Sequence, residues 1–207
     1  MSNRDYEELL DYRRRVAALY ARARDAGTDA PILCQRFREA RDQLFKHHPQ
    51  SALPEETRAG FEGLRYYDYD PALRFVLPID HDVEPETFEV HLQDDGLMRM
   101  KRFGKVGFTI GGEELALSLF WISGYGGGVL LPFRDATNGE ETYGGGRYLL
   151  DTIKHADLGA EGDELIIDFN YAYNPSCAYN PSWHCPLAPI ENTLPIQIPA
   201  GEKAYLG

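Results

Sequence analysis

The spacing of apolar residues predicts two helices at the start of the chain. Between residues 5 and 24, apolar side chains recur every three or four positions, which places them on one helical face. A second stripe follows Gly27–Pro31, where Asp29 can act as an N-cap and Pro31 suits the first turn. It should end near Lys46–His48, because Pro49 disfavours helical backbone before it. The two predicted faces are Tyr6, Leu9, Leu10, Val16, Ala17 and Tyr20, then Leu33, Phe37, Ala40 and Leu44.

From about Gly63 the period of the apolar positions changes to two, which is typical of half-buried strands. Turn signals at Asp94–Gly96, Gly111–Gly112 and Gly124–Gly128 separate the alternating segments. Residues 174–189 contain several prolines and predict an ordered irregular loop. The predicted strands are 73–79, 88–92, 97–103, 106–110, 114–122, 129–133, 165–169 and an edge strand at 195–200.

Together, these elements predict the fold class. It is an α+β, mainly β fold: an antiparallel β-barrel or sandwich with two N-terminal α-helices. We expect residues 1–48 to form a helical segment that packs on a β domain at 49–207, so that the two make one structural unit.

Composition narrows the class of protein. The chain is 43% hydrophobic, enough for a core, but no apolar run reaches the ~20 residues of a membrane span, and the N-terminus lacks an apolar signal segment. We therefore expect a soluble cytoplasmic protein that does not bind membranes. The net charge of −12 argues against nucleic acid as a partner. An acidic, Lys-poor surface fits a halophilic cytoplasm or an ordinary acidic protein.

A stretch rich in Gly, Asn, Tyr, Pro and Cys, residues 132–186, carries a family resemblance. It includes Thr142-Tyr-Gly-Gly-Gly-Arg-Tyr-Leu149, and with other segments of 34–203 it resembles the DUF1684 family, a domain of unknown function. Tyr171 and Ala52 depart from the family pattern, and 21–31 resembles an insertion. The segments that carry the resemblance are His48–Leu53, Phe61–Tyr66, Phe133–Gly139, Thr142–Leu149, Asp168–Ala178, Cys185–Leu187, Glu191–Asn192 and Ala200–Lys203. The resemblance implies no activity.

Arg147 follows three glycines, which allow a ligand to approach the backbone closely, and its guanidinium can bind a carboxylate or phosphate. The alternative is a buried salt bridge with Asp135 or Asp168. The leading hypothesis is a pocket for a small anionic ligand at one end of the β domain. Its predicted binding residues are Arg147, Asp135, Thr137, Tyr143, Asp168, Asn170, Tyr173 and Asn174.

Cys177, His184 and Cys185 lie on the proline-rich loop and form the second candidate group. Three such ligands can hold zinc, although the spacing is not that of a zinc knuckle. Packed thiols, a disulfide or redox pair, and a Cys177–His184 dyad remain alternatives. Cys34 adjoins an apolar stripe and is expected to be a buried thiol. A hydrolase-like or metal-dependent enzyme using residues 168–185 is therefore the second functional hypothesis, and a scaffold whose motifs only stabilise loops is the third.

Overall fold

A computed structural model describes residues 2–24, 29–92 and 96–207. The predicted turns at Gly27 and at Asp94–Asp95 lie outside these residues. The helices are α1 (Asn3–Ala23), α2 (Ala30–His47) and the short α3 (Glu55–Arg58). The strands are β1 (Arg74–Leu77), β2 (Thr87–Leu92), β3 (Gly96–Ile110), β4 (Glu113–Ser123), β5 (Gly128–Phe133), β6 (Arg147–Asp151), β7 (Ala160–Glu161) and β8 (Glu164–Asp168).

The strands form two antiparallel sheets. One has the order β1-β8-β7 and the other the order β2-β3-β4-β5-β6. The mainly β fold with two N-terminal helices is thus confirmed, and the described strands do not close into a barrel. No helix among the described residues is both long and apolar enough to span a bilayer.

The main core lies between the two sheets, and Phe169 is at its centre. Phe169 follows β8 and is fully buried. Its ring packs edge-on against Phe75, Phe108 and Phe133, with centroid distances of 6.1, 5.5 and 5.2 Å. Edge-to-face aromatic pairs add to the stabilisation that comes from burying the rings. One side chain therefore joins β1, β3 and β5 across both sheets.

The helical pair begins and ends where the sequence predicts, within one or two residues. Ser2 and Asp5 form a capping box at the start of α1. Asp29 occupies the N-cap of α2, but its side chain makes no capping hydrogen bond. The helices pack on the β body through an aromatic row, in which the Phe37 ring contacts Tyr20 at 4.9 Å and Tyr171 at 5.0 Å.

Three strand predictions need correction. Residues 97–103 and 106–110 belong to one long strand, β3, whose register shifts between Arg102 and Gly104. A Cβ at Gly104 would lie 2.6 Å from Ile79 Cγ2, so only glycine lets the neighbouring segment approach this closely. Residues 195–200 form no strand, because their backbone groups bond with buried side chains, including Asp135 and Arg147, instead of a sheet edge. The strand β6 was not predicted.

The central position of Phe169 generates a stability prediction. Replacing Phe169 with Ala should lower the free energy of unfolding by about 3–5 kcal/mol, because it leaves a cavity shared by both sheets. Urea unfolding monitored by circular dichroism measures this loss. The control is Tyr125→Ala, at a fully exposed tyrosine, which should leave the midpoint unchanged. A loss for Phe169→Ala no larger than that of the control would contradict this description of the core.

Candidate functional site

Arg147, the first residue of β6, is completely buried and bound by protein acceptors. Its guanidinium donates to Asp135 Oδ1 and to the carbonyl of Ile198, each at 3.1 Å, and also to the carbonyl of Ala200. Burial lowers the pKa of Arg147, and the charge of Asp135 opposes that effect. Of the two partners considered from sequence, the structure thus selects Asp135 for Arg147.

Asp135 and Thr137 complete this buried network. The Asp135 carboxylate accepts from the Thr137 hydroxyl and from the Ile198 N–H, the latter at 2.7 Å. Thr137 also shares a hydrogen bond of 2.8 Å with the hydroxyl of Thr142. The carboxylate therefore occupies the position that an anionic ligand of Arg147 would take.

The glycines before Arg147 serve close packing. Gly146 has a φ of +90°, and a Cβ there would lie 2.5 Å from the Phe133 carbonyl oxygen. A Cβ at Gly145 would lie 2.4 Å from the ring of Tyr143. Glycine is required at position 146, where φ is positive and the neighbour is backbone, whereas a side chain at position 145 would displace the Tyr143 ring.

Asp168 does not face Arg147, contrary to the sequence-based expectation. The chain enters a 3₁₀ turn directly after β8, so the Asp168 carboxylate caps that turn and accepts from the backbone N–H of Asn170 at 2.9 Å. Burial raises the pKa of Asp168, against hydrogen bonds from Asn170. The Asn170 amide in turn bridges the backbone N–H and carbonyl of Asp70, each at 2.8 Å. Both residues are buried and connect segments of the body.

Asn174 and Tyr173 anchor the proline-rich loop to the body. The Tyr173 backbone pairs with that of Tyr148 in β6. The Asn174 side chain donates to Glu202 Oε1 at 3.0 Å, and Glu202 also accepts a hydrogen bond from the Tyr179 hydroxyl. One buried carboxylate therefore holds the loop on both sides of Cys177.

Arg41 of α2 neutralises that carboxylate and was missed from sequence. Its guanidinium lies 2.8 Å from Glu202 Oε2 and also donates to the Tyr179 hydroxyl at 3.2 Å. The sequence contains a feature that could have identified Arg41. It lies four residues after Phe37 and three before Leu44, on the predicted apolar face of α2. A charged residue at such a position requires a buried partner.

The loop brings Cys177 and Cys185 together, and we refer to Cys177, Cys185 and Tyr143 as the thiol cluster. The two cysteines are free thiols, both half-buried, and each is close enough to perturb the pKa of the other. The Tyr143 hydroxyl lies 3.6 Å from the Cys177 sulfur. From sequence, Cys177 and Cys185 are candidate zinc ligands, and Tyr143 is a candidate residue of the ligand pocket.

Hydrogen bonds hold the backbone at or next to two members of the cluster. The Asn138 side chain donates to the Tyr143 carbonyl at 2.7 Å. The Tyr148 hydroxyl donates to the carbonyl of Pro186, directly after Cys185. The backbone around Tyr143 and Cys185 is thus held by β6 and by the loop that precedes it.

The electrostatics of the cluster distinguish its two thiols. Interaction with the Cys185 thiol lowers the pKa of Cys177 to about 6, with a smaller contribution from Tyr143 and against the effect of burial. The same interaction raises the pKa of Cys185 well above the usual range, and burial adds to this rise. Burial, aided by the Cys177 bond, raises the pKa of Tyr143 to about 12, so its hydroxyl remains a donor. The thiol with the lowered pKa is therefore Cys177.

The zinc hypothesis loses its geometric basis. Within residues 2–24, 29–92 and 96–207, no three His, Cys, Asp or Glu side chains come together as a metal site. His184 is half-buried and directly precedes Cys185.

Two clefts lie along the helical pair. One, of about 690 Å³, is lined by residues that include Arg15, Arg22 and His47. The other, of about 1070 Å³, includes Arg36 and Phe37. Both lie on α1 and α2, and neither is lined by Arg147 or by the thiol cluster.

Comparison with known proteins agrees with the motifs. The family model described as protein of unknown function (DUF1684) matches residues 59–203, and the chain belongs to this family. An uncharacterized protein of Haloarcula marismortui, solved by solution NMR, is similar at 36% sequence identity and a TM-score of 0.59. The similarity covers 83% of this chain and 92% of that protein. No curated protein matches the chain.

The buried ion pair generates a prediction about stability. Arg147→Met should lower the free energy of unfolding by about 3–5 kcal/mol, because it leaves the Asp135 charge buried without its partner. Urea unfolding measures the change. Arg99→Met is the matched control, since its ion pair with Glu89 is exposed and should contribute little. An unchanged midpoint of urea unfolding for Arg147→Met would contradict a structural role for this arginine.

The lowered pKa of Cys177 generates a prediction about pH. Alkylation of Cys177 by iodoacetamide should rise with pH through a midpoint near 6, below the value of about 8.5 for an unperturbed thiol. The reactivity is present above this midpoint and lost as the pH falls through it, because only the thiolate reacts. Mass spectrometry of the labelled peptide gives the rate. Tyr143→Phe removes one donor and should raise the midpoint, and a midpoint near 8.5 in the unsubstituted protein would contradict the arrangement.

Proposed function

We propose that this protein carries out thiol–disulfide exchange, with Cys177 as the attacking thiolate and Cys185 as the resolving thiol. The observation that supports this function best is the free, half-buried Cys177 thiol 3.6 Å from the Tyr143 hydroxyl. The second half-buried thiol, Cys185, is close enough to perturb the pKa of Cys177. Reactive cysteines are partly accessible and lie close to groups that stabilise a thiolate, whereas structural cysteines are fully enclosed. Cys34 is of the second kind, since it is 1% exposed and burial raises its pKa to about 11.

The exchange proceeds in two steps that conserve atoms and electrons. The Cys177 thiolate attacks one sulfur of a substrate disulfide, forms a mixed disulfide and releases the first substrate sulfur as a thiolate. Cys185 then loses its proton to solvent or to the departing thiolate and attacks the Cys177 sulfur. This step releases the second substrate thiol and leaves a Cys177–Cys185 disulfide. The substrate disulfide gains two electrons and the protein dithiol loses two.

The opposite effects of the two thiols on each other support this division of roles. Their interaction lowers the pKa of Cys177 and raises that of Cys185, so Cys177 is the thiol that reacts first. When Cys177 becomes part of a mixed disulfide, its sulfur no longer carries the negative charge that held the Cys185 proton. Cys185 is then released to attack. Lys154 is close enough to favour the thiolate of both cysteines.

The alternatives receive less support. A small anionic ligand at Arg147 would have to displace Asp135 and enter a region where the guanidinium has no exposed surface. A hydrolase that pairs Asp168 with the cysteines would need the carboxylate near them, but it caps the turn at Asn170. A reducing cytoplasm, the location expected from sequence, would keep the dithiol ready to reduce disulfides.

Single-turnover kinetics test the proposed function. Reduced protein should convert hydroxyethyl disulfide to 2-mercaptoethanol and gain a Cys177–Cys185 disulfide, detected by peptide mapping. Cys177→Ser should abolish the reaction, because the attacking thiolate is gone. Cys185→Ser should trap the mixed disulfide on Cys177, because no second thiol can resolve it.

Cys34→Ala is the matched control and should react like the unsubstituted protein, because Cys34 is enclosed between α2 and the Asn170 carbonyl. The proposal is wrong if, at pH 6 and the same molar concentration, the reduced protein reacts no faster than free cysteine, which is almost entirely protonated at that pH. It is also wrong if Cys185→Ser yields no mixed disulfide.

A further inference from the structure

The thiol cluster lies within an uncharged segment of a highly charged protein. Residues 169–190 contain no Asp, Glu, Lys or Arg, whereas 26% of the whole chain is charged and its net charge is −12. Three large apolar side chains of this segment are exposed: Trp183 at 46%, Leu187 at 40% and Ile190 at 88%. We call these three residues the apolar rim.

Leu187 of the apolar rim adjoins the thiol cluster. A Cβ placed on Gly145 would lie 2.4 Å from a Tyr143 ring carbon and 3.0 Å from Leu187 Cδ2, so both side chains meet at this glycine. Tyr143 in turn contacts the Cys177 sulfur. The exposed Leu187 is therefore separated from the attacking sulfur by a single side chain, and Trp183 precedes Cys185 by two residues.

This surface favours a polypeptide over a small charged molecule. A partner that docks on an uncharged apolar area does not have to remove water from ionised groups, which is the costly part of burying a polar surface. The strongly negative chain also repels small acidic disulfides at a distance. Apolar side chains next to a substrate cysteine would be buried against the apolar rim while the substrate disulfide contacts the Cys177 sulfur.

We propose that the apolar rim of Trp183, Leu187 and Ile190 binds apolar residues that flank a cysteine in a peptide or protein disulfide. The substrate class of the site is therefore the polypeptide disulfide. This inference rests on the proposed thiol–disulfide exchange and adds the surface that selects its substrate.

The test compares two disulfides on the same protein. One is a neutral synthetic peptide disulfide with Leu and Phe beside each cysteine, and the other is hydroxyethyl disulfide, which is too small to reach the rim. Trp183→Ser and Leu187→Ser should each slow exchange with the peptide roughly tenfold, the effect of truncating a moderate interface residue. Exchange with hydroxyethyl disulfide should stay unchanged.

Leu97→Ser is the matched control. Leu97 has the same exposed fraction as Leu187, 40%, but it lies on β3 where that strand pairs with β2, at the edge of the five-stranded sheet opposite β6. Its substitution should change neither rate. An equal slowing in Leu97→Ser would overturn the assignment of the surface.

A second comparison needs only the unsubstituted protein and so does not depend on how a variant folds. A peptide disulfide with Ser in place of Leu and Phe should react roughly tenfold more slowly than the apolar peptide. Equal rates for the two peptides would overturn the inference while leaving the proposed exchange intact. Failure of the protein to react with either the peptides or hydroxyethyl disulfide would overturn the proposed function itself.

A second copy of the chain is the competing occupant of the rim. Size-exclusion chromatography of the reduced protein should give a monomer whose elution is the same for Leu187→Ser. A dimer that dissociates on this substitution would show that the rim is a self-association surface and would overturn the inference.

Discussion

The fully buried ion pair between Arg147 and Asp135 is the constraint on which the rest of the structure depends. Charges removed from water are tolerated only when hydrogen-bonding groups around them compensate for the lost hydration. Here the compensation comes from Ile198 and Ala200 of the C-terminal segment, which must therefore follow an irregular path instead of joining a sheet. A second buried pair, Arg41 with Glu202, continues the same path towards α2.

These two ion pairs explain why the thiol cluster has a defined geometry although it lies on a loop. Glu202 holds Asn174 and Tyr179, and the loop between them carries Cys177. The Arg147 network shapes the turn that presents Tyr143. A loop positioned by a rigid scaffold is a common setting for chemistry, because the scaffold supplies precision and the loop supplies access. The proposed exchange uses this access at Cys177.

Much of the fold could be predicted from local pattern. The two amphipathic helices and most strands followed from periods of 3.6 and 2, and the motifs around Arg147 identified the family. The candidate site was predicted only as a set of segments. Asp168 alternates with apolar neighbours in a way that suits either an ion pair or a cap, and sequence alone does not distinguish the two. Cys177 and Cys185 were recognised as a possible pair, but their partner Tyr143 is more than thirty residues away.

The sequence by itself determined the mainly β class, the paired N-terminal helices, the family and the uncharged character of residues 169–190. Each of these is a property of neighbouring residues and needs no knowledge of distant contacts. Tertiary structure alone decided that Arg147 is enclosed with Asp135, that Glu202 and Arg41 anchor the loop, and that the pKa values of two similar thiols shift in opposite directions. These outcomes depend on burial and on distances between remote segments. Such distances set both the cost of a buried charge and the pKa of a thiol.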